Sequence, residues 1–383
     1  MNSREKFLNC IKFQSSVFPL YEFGFWVGTA KRWYQEGLER TRGIPDTLAD
    51  GDTLLGCVDG WEEYPRFEDL DQAIEFDRPL LKLPYNYWIF PEFEYSILQE
   101  GKDELVVIDK MGIKKRIKKD NASIPEYLEW PVRNKDNWEK FKGERLNPDS
   151  EGRFPPDFDS IVSRLGNRDF PLLLSMGYVG FFGSLRYLLG EVNLMLGYYD
   201  FPDLLTEIID YLADFWIALW DKVLSRITPD CVSLWEDMAY KTGSLISPRL
   251  FRQFMLPAYK KLTSFLKEND IEVVLLDTDG NCFELIPLFL EAGITGLFPM
   301  EVAAGMDVRE VRRNFPNLQI MGGVDKRALA TGKEAIDLEI KRVSPVVRSG
   351  GYIPFVDHFV PPDVSFSNYR YFRQRLVELA GRA

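Results

Sequence analysis

The chain predicts an α/β fold: a (β/α)8 (TIM) barrel carrying a small inserted antiparallel β meander. Two observations carry that prediction. First, four apolar runs in the C-terminal half each end in a short polar cluster. These are Val273–Leu276 before Asp277-Thr278-Asp279-Gly280-Asn281, Ile294–Pro299 before Glu301, Leu318–Met321 before Gly322-Gly323-Val324-Asp325-Lys326, and Tyr352–Val356 before Asp357-His358. Each run has strand length and is apolar on both faces, as a strand of a buried parallel sheet is. Second, helix-period segments alternate with strand-like runs, the pattern of parallel βα units. In such barrels the active site lies at the C-terminal ends of the strands, so the runs also nominate site residues.

Taken in order, Ser3 to Phe13 reads as a short amphipathic helix with Ser3 as N-cap. Val17-Phe18-Pro19-Leu20-Tyr21 reads as barrel strand one and Thr53 to Val58 as a weaker second. From about residue 61 to 148 the pattern changes. Tyr95–Leu98, Leu105–Asp109 and Ile113–Ile117 read as short strands turning at Glu100-Gly101 and Met111-Gly112, hence a meander inserted in one domain spanning 1–383. Residues 139–171 read as a helix and loops, and Leu172–Met176 as the next strand, ending at Gly177-Tyr178. Pro202 to Arg226 is a helix, because Leu205, Ile208, Ile209, Leu212, Trp216, Leu219 and Val223 keep the three-four spacing of one buried face. Cys231–Leu234 is a strand ending in Trp235-Glu236-Asp237-Met238-Ala239-Tyr240-Lys241. Pro248 to Asn269 is helical with Ser247 as N-cap, and Phe283 to Glu291 is a helix closed by Ala292-Gly293.

At 383 residues the chain exceeds one barrel of about 250, which the insertion accounts for. Its 45% hydrophobic and 28% charged residues suit a globular protein. The net charge of -12 opposes nucleic acid and anionic membranes as partners. Cys10, Cys57, Cys231 and Cys282 form no CxxC pair, and no run reaches the roughly 18 apolar residues a membrane helix needs. A reduced, cytoplasmic chain is the expectation.

The strand ends gather Glu22, Glu236, Asp237, Asp277, Asp279, Glu301, Asp325 and Asp357, against Lys241, Lys326, Arg327 and His358. So many carboxylates at one mouth require a cation among them or protonation of some. Three functional readings follow: a metal ion, a cationic substrate group, or a raised-pKa general acid. The competing reading is that some of these acids cap helices or pair with lysines outside the cleft. Asp277-x-Asp279 is the sharpest pair, and His358, the single histidine, follows an acid at a strand end. Asp277, Asp279 and His358 therefore form the candidate metal set, for a divalent Zn, Mn or Fe. Glu236, Asp237, Lys241, Glu301, Asp325, Lys326 and His358 are the candidate catalytic residues. Glu22, Trp26, Tyr178, Trp235, Tyr240 and Asp357 are the candidates for substrate contact. Gly322-Gly323 lacks any nucleotide-binding spacing.

At these residues the chain resembles the uroporphyrinogen decarboxylase superfamily. The resemblance rests on Ser3-Arg4-Glu5-Lys6, Thr242-Gly243-Ser244-Leu245-Ile246-Ser247-Pro248 with Phe251 and Phe254, Asp279-Gly280-Asn281, Glu291-Ala292-Gly293-Ile294, Ala304-Gly305-Met306-Asp307, Gly322-Gly323-Val324-Asp325, Gly350-Gly351-Tyr352-Ile353 and Pro361-Pro362-Asp363. It implies a (β/α)8 barrel and one of two activities. The first is cofactor-free decarboxylation of a tetrapyrrole, whose arginine-rich segment after strand one is here Tyr21-Glu22-Phe23-Gly24-Phe25-Trp26, with Arg32, Arg40 and Arg42 only later. The second is cobamide-dependent methyl transfer through a zinc held by His-x-Cys and a later cysteine, positions that here read Asp277, Asp279 and His358. The resemblance thus implies a divergent enzyme of methyl transfer or C–C/C–O cleavage on a small or corrinoid-linked substrate, with a corrinoid protein as possible partner and a homodimer as possible assembly. The alternatives are tetrapyrrole decarboxylation and a non-catalytic barrel that binds a corrinoid or a partner.

Overall fold

The fold is that of a computed structural model describing residues 1–60, 64–119 and 125–381. The expected start of the insertion, at residue 61, lies outside the described residues.

Strand β1 (Gly24–Trp26) pairs antiparallel with β2 (Thr53–Leu55). Parallel pairing begins with β3 (Val58–Asp59) and β4 (Leu80–Lys82). The insertion follows as β5 (Ser96–Glu100), β6 (Glu104–Ile108), β7 (Lys114–Lys118) and β8 (Glu126–Glu129), an antiparallel meander in that order. Next come β9 (Leu172–Leu173), parallel to β4, and β10 (Val232–Trp235). A hairpin of β11 (Ala239–Tyr240) and β12 (Gly243–Ser244) precedes β13 (Val274–Asp277), β14 (Gly296–Phe298), β15 (Gln319–Met321) and β16 (Tyr352–Ile353). The order β10-β13-β14-β15-β16 is parallel throughout, and a parallel bridge between Leu173 and Cys231 joins it to the β3-β4-β9 sheet. The result is an α/β fold with its parallel strands side by side.

Helices cover this sheet because their apolar faces are buried against it. Pro202–Leu224 inserts Trp216, Trp220 and Leu219, all with no solvent exposure, each worth about 1.5–3 kcal/mol on burial. The Ser3–Ile11 helix is fastened by Arg4, whose Nε lies 2.8 Å from Asp230 Oδ1, and by Lys6, whose Nζ lies 2.7 Å from Asp77 Oδ1. Those ion pairs explain the charged Ser3-Arg4-Glu5-Lys6 motif. The meander has one face in water, which an antiparallel sheet tolerates. Cross-strand pairs such as Lys114 with Glu129, 2.8 Å, hold it, and Val132 N–H donates to Leu188 O at 3.0 Å where it rejoins the sheet.

Several expectations need correction. Val17–Tyr21 makes no strand, although Phe18–Tyr21 is buried: Pro19 has no N–H, and Leu20 N–H donates to the Asp77 carboxylate at 2.8 Å instead of to a neighbour. Thr53 to Val58 is two short strands with opposite pairing senses, split at Gly56. Asn2, not Ser3, is the first N-cap, reciprocally bonded with Glu5. The Pro248–Asn269 helix is interrupted by a π-turn at Phe251–Met255, just before Pro257, whose missing N–H cannot close an α-turn. Strand β8 was not expected at all. Phe283–Glu291 starts as a 3-10 turn and ends at Gly293, φ +85°.

Candidate active site

The C-terminal ends of β9, β10 and β13 face one cavity of about 310 Å³, together with the segment after β16. Parallel register places Trp235 beside Asp277. After Asp277 the chain stays extended, so Asp277 and Asp279 line the cavity while Thr278 turns away. Thr278 Oγ1 accepts from Met238 N–H at 3.2 Å. Gly280, φ +77°, closes the turn, and a Cβ there would meet Ala239 O at 2.5 Å. Two other wall residues leave their strands through left-handed backbone that is costly without glycine, Tyr178 at φ +51° and Asp237 at φ +45°.

Asp277 is 9% exposed, and among the described residues its carboxyl accepts no hydrogen bond. Burial, then the charges of Asp237 and Asp279, push its pKa well above the ordinary carboxylate range. Asp237 is pushed to about 6, by burial first and then by Asp279, against the pull of Arg186 and His358. Asp279 N–H donates to Asp237 Oδ1 at 3.5 Å, and Asp279 Oδ2 lies 3.3 Å from His358 Nε2. The cavity thus holds a carboxyl whose burial favours the protonated form beside an acid–imidazole pair, an arrangement suited to proton transfer.

Six of the residues nominated from sequence line this cavity: Tyr178, Trp235, Asp237, Asp277, Asp279 and His358. The others do not, and each has another task. Glu236 is fully buried, and its carboxylate takes N–H bonds from Phe181 (2.8 Å) and Gly183 (2.7 Å) at the start of the Phe181–Leu189 helix, while burial lifts its pKa to about 8. Glu22 accepts from Phe23 and Val356 N–H and from Tyr369 OH, stapling three segments inside the core, and burial lifts it to about 7. Asp357 accepts from Val302 N–H at 2.9 Å and Lys326 N–H at 3.2 Å, with Lys326 Nζ 3.8 Å away. Burial raises its pKa, against the pull of Lys326. Asp325 caps the Lys326–Thr331 helix and pairs with Arg327; although burial raises its pKa, the Arg327 bonds outweigh it and hold it low. Glu301 accepts Gly280 N–H at 3.1 Å and so fastens the Asp-x-Asp turn. Tyr240 and Lys241 are exposed at the β11–β12 hairpin, and Trp26 packs against the cavity residue Phe359, 5.3 Å between ring centres.

Sequence reasoning missed Phe23, Tyr64, Tyr187 and Phe359, which also line the cavity. Phe359 directly follows His358 and was within reach of the strand-end argument. Tyr187 projects from a helix and carried no such signal. Asp277, Asp279 and His358 share the cavity. Yet among the described residues no group of three or more His, Cys, Asp or Glu is gathered closely enough to hold a metal ion. As arranged, that donor set does not fit Zn, Mn or Fe. All four cysteines are buried and unpaired, and burial pushes Cys57 and Cys282 up to about 12.

A sheet of parallel strands with its acids at their C-terminal ends is the layout of an α/β enzyme-type fold. Residues 100–378 match the family model described as uroporphyrinogen decarboxylase (URO-D), and the chain belongs to that family. Two curated relatives are similar over more than half of the chain. The methylcobamide:CoM methyltransferase MtbA of Methanosarcina acetivorans is 24% identical over 236 residues, 58% of this chain and 65% of its own. MtbA of Methanosarcina mazei is 23% identical over 218 residues, 56% and 60% respectively. The match thus spans less than two thirds of either relative. No helix among the described residues is long and apolar enough to cross a membrane.

Proposed function

We propose that this chain is an acid–base enzyme of the family, of the methyltransferase type, which cleaves the bond between a small substrate's methyl or one-carbon group and a polar leaving atom. Asp277 carries this reading: a carboxyl in a cavity, unpartnered and buried, has its pKa raised, which suits it to donate a proton. The carbon–leaving-atom bond breaks as a nucleophilic acceptor bonds the carbon, and the Asp277 proton passes to the leaving atom. The proton leaves with the product, and Asp279 orients His358, which relays a proton from solvent back to the Asp277 carboxylate. Likeness to the MtbA proteins supports a corrinoid protein as the source of the acceptor.

The same reading closes the parallel strands into a (β/α)8 barrel, with the Val17–Phe23 segment filling the gap between β16 and β3, and treats 1–383 as one domain with the meander inserted. A cytoplasmic location and a homodimer belong to it as well. Tetrapyrrole decarboxylation is the weaker alternative, because an eight-carboxylate substrate would meet Asp237, Asp277 and Asp279 rather than guanidiniums. A metal on Asp277, Asp279 and His358, and a non-catalytic corrinoid-binding barrel, are the remaining alternatives.

The test incubates purified protein with reduced cobalamin and a panel of small methylated ethers and amines, following the cobalamin absorbance. Methylation with at least one substrate, lost in Asp277→Asn, supports the reading. Turnover of uroporphyrinogen, or full activity in Asp277→Asn, would sink it.

A further inference from the structure

Two aromatic clusters line the cavity. In one, Tyr187 stacks on Trp235 at 5.3 Å, and Tyr178 meets the pair edge-on at 5.7 and 6.5 Å. In the other, Phe23 lies 5.4 Å from His358 and 4.9 Å from Phe359. Asp237, Asp277 and Asp279 line the same space.

Charge does not balance there. His358 meets Asp279. Arg186 donates to the main-chain oxygen of Asp237 at 2.8 Å, and its other amino group stands 3.7 Å from Glu191. Asp277 in its protonated form needs no cation, but among the described residues no side-chain cation forms an ion pair with Asp237, so the cavity carries a carboxylate without a counter-charge. The missing partner is therefore something the cavity binds.

We propose that this partner is an onium group, an alkylated ammonium or sulfonium, carried by the substrate. Three observations choose it over other cations. A metal ion needs convergent donors, and among the described residues no group of three or more His, Cys, Asp or Glu converges. A bare ammonium keeps its hydration and wants a hydrogen-bond acceptor for each of its three N–H groups, whereas this lining includes six Phe, Tyr and Trp rings. A quaternary ammonium or a sulfonium is weakly hydrated, has no N–H to satisfy, and is attracted to aromatic faces and to carboxylates together. A cavity of 310 Å³ admits such a head group with a short tail. The inference rests on the proposed function in one respect, that this cavity is the substrate site.

The probes are choline and 3,3-dimethylbutan-1-ol, which has the same shape with carbon in place of the charged nitrogen, titrated calorimetrically into the full chain. Choline is expected to bind about tenfold or more tightly than the alcohol. Trp235→Leu and Asp237→Asn should each remove about tenfold of the choline affinity and leave the alcohol unchanged. Circular dichroism confirms that each variant is folded, and Tyr187→Leu replaces Trp235→Leu if the latter is not. Equal affinity for the two probes, or choline affinity unchanged in folded variants, overturns the proposal. Choline binding without bond cleavage in any assay keeps the onium site and removes the acid–base reading. Turnover of a neutral substrate without choline binding does the reverse.

Discussion

Asp279 and His358 meet at 3.3 Å, Oδ2 to Nε2, although one follows β13 and the other follows β16. Strand ends distant in sequence converge because parallel pairing carries all of them to the same edge of the sheet. If Asp279 serves to orient the imidazole, the two residues act as a unit. Asp279→Asn and His358→Gln should then each cost about 100-fold in kcat/KM, and the double variant little more than either single. A double-mutant cycle in the cobalamin assay checks this. Additive losses would separate the two roles.

Asp277→Asn should trade activity for stability. The carboxyl sits in a buried site with no hydrogen bond to lose, so the amide removes the cost of taking up a proton on folding while also removing the transferable proton. Turnover should fall about 100-fold or more, and the melting temperature at pH 8 should rise by about 2–4 °C. A melting temperature below that of the wild type would mean that Asp277 has a structural partner.

How much of this was legible in the sequence differs residue by residue. Asp277 and Asp279 could be picked out because four large apolar residues precede them and a glycine follows. That pattern reports strand, strand end and turn at once. Glu236 and Asp237 could not be told apart, being adjacent acids after the same strand. Only the fold shows that Glu236 points back into the start of the Phe181–Leu189 helix while Asp237 reaches the cavity. Tyr187 was invisible because nothing local to a helix says which cavity it faces. Val17–Tyr21 misled because apolar alternation reports burial, and burial there is met without strand pairing.

Stability should fall as pH rises from 5 to 8.5. Glu22 and Glu236 are lifted to about 7 and about 8 by burial, so between the ordinary carboxylate pKa and those values the folded chain holds more protons than the unfolded one. Stability conferred by such groups is complete at low pH within this window and is lost as they ionise. Melting temperatures across the window should decline, and Glu22→Gln, which keeps an acceptor for Val356 N–H and Tyr369 OH, should flatten the decline. A rise with pH would contradict the lifted values.

Metal analysis separates the two readings of the Asp-x-Asp motif. With donors that do not converge, protein purified from metal-replete expression should carry well under one equivalent of Zn, Mn or Fe. Chelation should leave its melting temperature unchanged. One equivalent of a metal that disappears in the Asp277→Ala/Asp279→Ala variant would establish the metal site in place of the acid.

Glu236 and Gly180 should show that the cavity wall is held from behind. The Glu236 carboxyl anchors the first N–H groups of the helix that carries Tyr187 and Arg186, and Gly180 sits so close that a Cβ would lie 2.1 Å from Trp235 O and 2.9 Å from Glu236 Cδ. Glu236→Ala leaves two buried N–H groups unpaired and should cost about 1–3 kcal/mol. Glu236→Gln keeps acceptor capacity and should cost less. Gly180→Ala forces main chain against main chain, which cannot be relieved by a rotamer change, and overpacking of that kind costs about 1–3 kcal/mol. Denaturant unfolding gives the stability loss, and choline titration of the folded fraction gives the wall's integrity. Both Glu236→Ala and Gly180→Ala should weaken choline binding although neither residue lines the cavity. Unaltered binding alongside lost stability would show that the Tyr187–Trp235 wall stands without this support.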